Sequence, residues 1–552
     1  MKVRVARLSI ILLNLFFIQN LFSQTLTVSS SQLNFGNAYE NAPDSLPLTI
    51  FNNMGHTVHV TGMKFYTTYG SPAFSSSQYD FSINNGSSQQ VWIKFSPRHN
   101  IFHNSELVIE NDGLRGYVHV DLIGQGKYSK AYYNSTQDLS EEDLKTELHV
   151  ITGIGYDTLG YNIARDSMFM WLDNKRTNGQ GAAQNTLECI YTGREAVGYT
   201  SRTDCQSATY NFNTEHTFPQ SLFTSQEPMR SDLHHLFPTD NTANNVRADN
   251  PFGIVTNPTW SVGGSMATNT LFEPRDVHKG HAARALMYFV LRYQNYSGFF
   301  TTQEAILRTW HQNFPPDSTE KKRNEDINTI QHNRNPFVDY PQFIERINSI
   351  SNFSVAPSVS SVDLTEDTIV YGYVTTALSQ VFNYVIVNDG NMDINLTNFN
   401  LSNPGILTFQ SGGSNLILPP GEAHVVEINL VTANSGPVHE SLTFQSNVPG
   451  HANVSIPIYA NDPVINNVSE NLSGSIQLYP NPTKGKLFLT NFHSRILKVN
   501  IMDVSGREIK SGWNFLHSAN SIMLDISTLD FGTYFLFINT DDGIVKKKFM
   551  KD

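Results

Sequence analysis

The sequence predicts a multidomain chain. A mixed α+β middle is flanked by two all-β sandwiches and followed by a small all-β carboxy-terminal unit. Three observations predict it. The 552 residues suffice for about three to five domains. Apolar alternation of period two, punctuated by Gly, Asn, Ser and Pro, runs through 25–127, 355–462 and 476–552. Between the first two of these blocks the period becomes helical.

Taken in chain order, residues 1–23 come first. Lys2, Arg4 and Arg7 precede an apolar run from Leu8 to Phe17 and a polar end near Ser23. That is the pattern of a secretory signal removed after export, with an uncleaved amino-terminal anchor as the alternative. No later stretch approaches a bilayer-spanning length, so no transmembrane segment is expected once the signal is gone. Residues 24–127 carry alternating runs such as LPLTIF, QVWIKF and ELVIEND, at the spacing of an immunoglobulin-like β-sandwich. Residues 355–462 repeat that plan: GYVHVDLIGQG is answered by ANVSIPIYAND, and a turn at Asn53–Gly55 by one at Asp389–Gly390.

The middle, 128–350, contains three helical patterns. They are DLSEEDLKTELHVITG with Leu139, Leu144 and Leu148, HKGHAARALMYFVLRYQNY with Ala282, Ala285, Leu286, Phe289 and Val290, and TTQEAILRTWHQNF. Residues 463–475 read as a polar linker. Residues 476–552 alternate again and end in the basic VKKKFMKD.

The formal charge of −12 argues against a whole-chain polyanion wrapper, but local positive potential can still hold nucleic acid. Cys189 and Cys205 are the two cysteines. In an exported chain they can form a disulfide or remain two buried thiols. They cannot make a zinc site by themselves.

The densest chemistry lies in 213–253, NTEHTFPQSLFTSQEPMRSDLHHLFPTDNTANNVRADNPFG. Tyr210–His216 reads as a strand leading into a turn. DLHHLFP, 232–238, reads as a second strand, and NTANNVRAD as a helix capped by Thr239 or Asp240. Strand, long turn, strand and helix is the layout of a ββα-metal nuclease core. A neutral His can take a proton from water near pH 7. A Glu and an Asn oxygen suit one lightly held hard cation, Mg²⁺ before Zn²⁺. Adjacent strand residues point to opposite faces, so His234 and His235 do not read as a metal pair.

Two segments resemble known families. LYPNPTKGKLFL, with Tyr479, Pro480, Asn481, Pro482, Gly485 and Leu487, then DVSGRE, LDISTLDFGTYFLFI and the terminal KKKFMK, resembles the C-terminal sorting domain of the type IX secretion system. That resemblance implies export by the type IX machinery, to be released or held at the cell surface. The middle domain resembles the endonuclease I family of His-Me finger nucleases. The resemblance rests on Glu215, His216 and Pro219, on Asp232, Leu233, His234, Leu236 and Pro238, and on Asn244 and Arg247, with YTGR at 191–194, FEPRDVHKGHAARALMYF at 272–289 and EKKRNEDINTIQHNRNPFVDYP at 320–341. Where the family has Asn after the second His, this chain has His235. Where some members carry a Glu, it has Arg230, so any role of that Glu is not carried over.

The resemblance implies His216 as general base, and Glu215 and Asn244 as metal ligands, with Asn245 as rival to Asn244. It implies Mg²⁺, or Mn²⁺ or Ca²⁺, as cofactor. DNA is the implied substrate, with RNA beside it, cleaved to 5′-phosphate ends without sequence preference. Arg247, Arg275, Lys279 and Arg334 are candidate phosphate contacts. Asp232 and His234 are expected to orient the second strand behind the site. The KKR at 321–323 reads as a helix face. The alternative reading is a surface adhesin or carbohydrate-binding protein whose β modules act and whose middle domain is degenerate.

Overall fold

The structure, a computed structural model, describes residues 26–462 except 68–72, 113–115 and 295–296. Further on it describes 477–551 except 480, 482, 491–495, 504–508, 510–513, 519–520 and 541–542. The expected signal at 1–23 and linker at 463–475 lie outside the described residues.

Residues 26–127 form β1 (Leu26–Val28), β2 (Gln32–Tyr39), β3 (Asp44–Asn52), β4 (Val58–Thr67), β5 (Phe74–Ser76), β6 (Phe81–Ile83), β7 (Ser88–Phe95), β8 (Phe102–Asn111) and β9 (Val118–Lys127). They make two sheets, in the orders β1-β3-β7-β5 and β2-β9-β8-β4-β6. Alternation decides the faces: Val91, Ile93 and Phe95 of β7 are buried, while Trp92 between them is exposed. Inward residues of both sheets, including Leu48, Ile50, Leu107 and Val120, share one core.

The middle mixes helix and strand. Its elements are α1 (Glu141–Gly153), α2 (Tyr161–Ser167), β10 (Thr186–Glu188), β11 (Glu195–Val197), α3 (Arg202–Cys205), β12 (Phe212–His216), β13 (Leu236–Asp240), α4 (Asn241–Arg247), β14 (Trp260–Val262), β15 (Ser265–Ala267), β16 (Phe272–Glu273), α5 (Asp276–Tyr293), α6 (Ser297–Thr301), α7 (Glu304–Asn313), α8 (Ser318–Gln331) and α9 (Pro336–Asp339). Helix α5 is buried on nearly every side from Ala282 to Arg292, which makes it the centre of the domain. The cation inside it, Arg284, is matched by a two-pronged contact to Glu320 of α8, at 2.7 and 2.5 Å.

Helix α8 has almost no apolar stripe and was not read as a helix by period. It starts because Asp317 accepts from the Glu320 N–H at 2.8 Å, and Ile327 anchors it. The KKR segment does fall on this helix, with Lys321 and Lys322 exposed and Arg323 buried.

The second sandwich comprises β17 (Val362–Leu364), β18 (Ile369–Val370), β19 (Gln380–Asn388), β20 (Ile394–Leu401), β21 (Leu407–Ser411), β22 (Leu416–Leu418), β23 (Ala423–Leu430), β24 (Val438–Ser446) and β25 (Asn453–Ala460). Its orders, β17-β19-β23-β21 and β18-β25-β24-β20-β22, match the first copy strand for strand. So does the parallel pairing, β2 with β9 and β18 with β25. The repeated turns rest on a buried Asn at each strand end. Asn52 donates to the Ile83 and His56 carbonyls at 2.7 and 2.8 Å, and Asn388 to those of Leu418 and Met392 at 2.9 and 2.8 Å.

The carboxy-terminal unit has β26 (Gln477–Tyr479), β27 (Lys486–Thr490), β28 (Ile496–Asp503), β29 (Asn514–Ser518), β30 (Ser521–Asp525), β31 (Gly532–Thr540) and β32 (Gly543–Lys551). Its two sheets, β26-β27-β30-β29 and β28-β31-β32, share a core that includes Leu487, Ile501, Leu524 and Leu536. Among the described residues, no helix is long and apolar enough to cross a membrane.

The first sandwich contacts both of its neighbours. Toward the middle domain, Arg98 and His99 meet Glu345 at 2.8 and 3.0 Å, and Asn100 accepts from Arg346 at 2.8 Å. Toward the second sandwich, Lys64 and Tyr66 both reach Asp363, and Tyr66 and Val108 pack with Val385 and Val387.

Burial leaves an acid-sensitive signature. His103, His234, His235 and His311 are each pushed down by burial from the usual 6.5 to about 4. Below pH 6.5 the unfolded chain takes up protons that these folded imidazoles refuse. Their contribution to stability is therefore full above 6.5 and declines as pH falls toward 4, by up to about 1.4 kcal/mol per histidine per pH unit. Thermal unfolding of the protein at pH 7 and pH 5 is expected to show a clearly lower midpoint at pH 5.

Candidate active site

The site is built on a hairpin with a long connection. Strands β12 and β13 pair antiparallel, with Glu215 opposite Phe237 and His216 opposite Leu236. Every residue of β13 is buried, as are Thr214, Glu215 and His216. Helix α4 follows β13 directly. Its amino end is capped by Asp240, which accepts from the Ala243 N–H at 2.8 Å, so of the two expected caps the chain uses Asp240.

The second strand begins later than its sequence suggests. Leu233–His235 is a 3₁₀ turn, and the strand runs from Leu236 to Asp240. The cause is Asp232. Its carboxylate caps the turn by accepting from the His234 N–H at 3.1 Å, and it is drawn inward by the hydroxyls of Tyr288 and Tyr293, both at 2.8 Å, and by Gln331 at 2.9 Å. Arg292 stands 3.5 Å away. Burial would push this carboxyl up, but the charges of His234 and Arg292 and the Gln331 bond outweigh it and hold it below the usual range.

Both imidazoles of the turn are buried and point to separate partners. His234 faces the Asn333 carbonyl at 3.4 Å, and His235 faces that of Met229 at 2.7 Å. Arg323 of α8 donates to the carbonyls of Leu233 and Leu236 at 3.0 and 2.7 Å, tying both ends of the turn to the helix.

Strand alternation sends Glu215 and His216 to different neighbours. Glu215 turns toward α4. Its Oε1 accepts from the Tyr191 hydroxyl at 2.7 Å and lies 3.3 Å from Arg247 Nε. Burial raises this carboxyl, and the Arg247 charge only partly opposes it. No hydrogen bond reaches its Oε2 among the described residues. Asn244 sits three residues before Arg247, on the same side of α4. It is half-buried, and its carboxamide has no hydrogen bond among the described residues, whereas Asn245 is exposed.

His216 turns toward α2. Its Nε2 lies 3.2 Å from the Arg230 carbonyl. A carbonyl can only accept, so Nε2 carries the proton and the lone pair sits on Nδ1. Burial first, then His235, Arg230 and Arg165, hold this imidazole well below its ordinary value, so it is neutral. Its ring packs beside Tyr161 at 5.5 Å and His235 at 5.5 Å.

Of the two alternatives for the cysteines, the structure has the buried thiols. Cys189 and Cys205 are both free and buried. Cys189 Sγ instead accepts from the Asp240 N–H at 3.1 Å, which binds it to the start of α4. The four expected phosphate contacts are already matched inside the chain. Arg247 is buried, faces Glu215 and donates to the Thr217 carbonyl at 2.6 Å. Arg334 is buried between Asp339 and Glu325. Arg275 pairs with Glu188, and Lys279 with Glu273 and Asp276. A cation withdrawn from water needs such a partner, and these four have theirs.

Sequence reading did not single out Tyr161, Arg165 or Tyr191. Tyr191 stands in the YTGR segment, where its hydroxyl was the available clue. Tyr161 and Arg165 lie on a seven-residue helix, too short to show a period. A second group of possible ligands, Glu106, His119 and Asp121, has its ligand atoms within 4.8 Å of one another and lies on the first sandwich.

Removing Asp232 leaves Arg292 unpaired in the interior. Asp232→Ala is expected to cost about 3–5 kcal/mol, read as a shifted urea midpoint of the middle domain. A shift under 1 kcal/mol would show that the carboxylate does not set the turn.

Residues 140–342 match the family model described as Endonuclease I, and residues 477–552 the one described as a secretion system C-terminal sorting domain. An extracellular ribonuclease of Bacillus amyloliquefaciens is 28% identical over 237 residues, 40% of this chain and 78% of that protein. An extracellular ribonuclease of Bacillus subtilis is 28% identical over 235 residues, 39% of this chain and 77% of that protein. An extracellular deoxyribonuclease of Aeromonas hydrophila is 28% identical over 116 residues, 20% of this chain and 50% of that protein. The chain therefore carries an Endonuclease I domain and a type IX secretion sorting domain, and it is a nuclease addressed to the outside of the cell or to its surface.

Proposed function

We propose that the protein is a metal-dependent, largely sequence-nonspecific endonuclease that hydrolyses DNA, and RNA beside it, to 5′-phosphate ends. The fold reading that accompanies this is a ββα-metal, His-Me finger core within 128–350, between immunoglobulin-like sandwiches at 24–127 and 355–462, with a linker at 463–475 and the sorting domain at 476–552. The observation that carries it is that Glu215 Oε2 and His216 Nδ1 on the buried strand β12, and the Asn244 carboxamide on the helix that follows the hairpin, make no hydrogen bond among the described residues.

The donor set fits a hard divalent ion: one anionic and one neutral oxygen, with no sulfur. Glu215 and Asn244 would hold Mg²⁺, or Mn²⁺ or Ca²⁺. Such an ion, when bound, supplies charge relief at the phosphate and at the leaving 3′ oxygen. The remaining work belongs to the chain. Tyr191 and Arg247 fix the Glu215 carboxylate, and Arg247 balances its charge. The Arg230 carbonyl fixes the His216 tautomer, so that Nδ1 can accept the proton of an attacking water. Burial keeps that nitrogen unprotonated at neutral pH.

The test is plasmid cleavage by the full chain with Mg²⁺ and with EDTA, wild type beside His216→Ala and Tyr191→Phe. His216→Ala is expected to lose about 10²–10⁴-fold in rate. Tyr191→Phe is expected to need about tenfold more metal for half-maximal rate. Cleavage that persists in EDTA would remove the metal from the reading, and cleavage that persists in His216→Ala would remove the base. A folded wild type that cuts nothing under any divalent ion would favour an adhesive protein with a degenerate nuclease domain.

A further inference from the structure

The cations of the middle domain are of two kinds. Arg247, Arg275, Lys279, Arg334 and Arg202 each face a carboxylate. Arg165 and Arg230 form no ion pair among the described residues. Arg165 donates to the Asn162 side chain at 2.7 Å, and no hydrogen bond leaves the Arg230 side chain. The Nε atoms of both are buried without a partner.

Both guanidiniums lie 4.1 Å from the centroid of one ring, that of Tyr161. That ring is 5.5 Å from the His216 imidazole. Tyr161 thus holds two like charges, both half-buried, beside the proposed base. Arg202 stands close enough to oppose the charge of Arg165, so the cluster is crowded with positive charge. The carboxylate that reaches Arg165, Asp166, is already paired with Arg202 at 2.6 Å, so Arg165, Arg230 and Arg202 together keep a positive excess that an external anion can balance.

We propose that Arg165 and Arg230, spaced by Tyr161, are a phosphate clamp that binds the nucleic-acid backbone beside the bond hydrolysed at His216. This rests on the nuclease reading above. A phosphodiester supplies the missing negative charge, and its two non-bridging oxygens accept from guanidinium forks. The ligand is the backbone and not a base edge, so the clamp takes DNA and RNA alike and adds no sequence preference. Arg230 then has two functions: its carbonyl sets the His216 tautomer, and its guanidinium positions the strand.

The test uses the full chain and a short fluorescent oligonucleotide. Binding is followed by anisotropy in EDTA over a range of NaCl, and cleavage is measured separately with Mg²⁺. For Arg165→Ala and Arg230→Ala, binding is expected to weaken about tenfold each. The slope of log affinity against log salt is expected to fall by about one per arginine removed. The cleavage loss should fall more on KM than on kcat, and Arg165→Lys and Arg230→Lys should restore most of the salt slope. If an alanine variant loses its circular dichroism spectrum, Arg→Gln at the same position carries the test. Wild-type affinity, salt slope and KM in both neutral variants, with an active wild type, would overturn the clamp and leave the nuclease standing. A wild type that neither binds nor cleaves would overturn both.

Discussion

The arrangement of the site depends on one fully buried carboxylate. Asp232 holds two tyrosine hydroxyls of α5, a glutamine at the end of α8 and the backbone of the turn before β13. Three parts of the domain, far apart in sequence, are fixed to a single pair of oxygens. The turn it caps sets where β13 begins, and the register of β13 with β12 sets which residues stand beside Glu215 and His216. Arg323 reinforces the same point from the other side, through two backbone carbonyls. A charge-assisted network this deep is costly to leave half-made, so the hairpin is held in one geometry.

Around this frame the domain separates its cations by role. Arg284 and Arg334 are spent on buried carboxylates that join helices. Arg247 is intermediate, since it neutralises a carboxylate of the site itself. That pairing lets a buried Glu215 keep an oxygen without a hydrogen bond at tolerable cost. On the other face of β12 the guanidiniums over Tyr161 form no ion pair among the described residues, since Asp166 beside them is taken by Arg202.

Much of this was legible in the sequence. The repeat of the β modules could be read because period-two alternation and the turns at Asn53–Gly55 and Asp389–Gly390 recur in both copies, and the strand orders agree one for one. The helix around Ala282–Val290 could be read from its apolar run, and the β12–β13–α4 hairpin from its motif. What could not be read depended on tertiary partners. The DLHHLFP segment alternates like a strand, yet Asp232 bends its first residues into a turn through bonds to residues 56–99 positions away. Helix α8 is nearly all polar, so its sequence hides its burial. The internal partners of Arg247, Arg275, Lys279 and Arg334 were hidden for the same reason: a sequence shows that a cation is present, but not which carboxylate it faces.

The paired sandwiches have a consequence for how the chain comes into being. Lys64 and Asp363 are 299 residues apart in sequence, and Arg98 and Glu345 are 247 apart. Because the chain leads with its amino end, the first sandwich can close before the 247–299 later residues that bring its covering partners have followed. During that interval Tyr66 and Val108 lie bare on a finished sheet, an apolar strip that another nascent copy could equally well cover. The second sandwich, made last of the three central units, therefore acts as the built-in cover of the first, and a chain truncated before residue 385 would emerge with that strip unprotected.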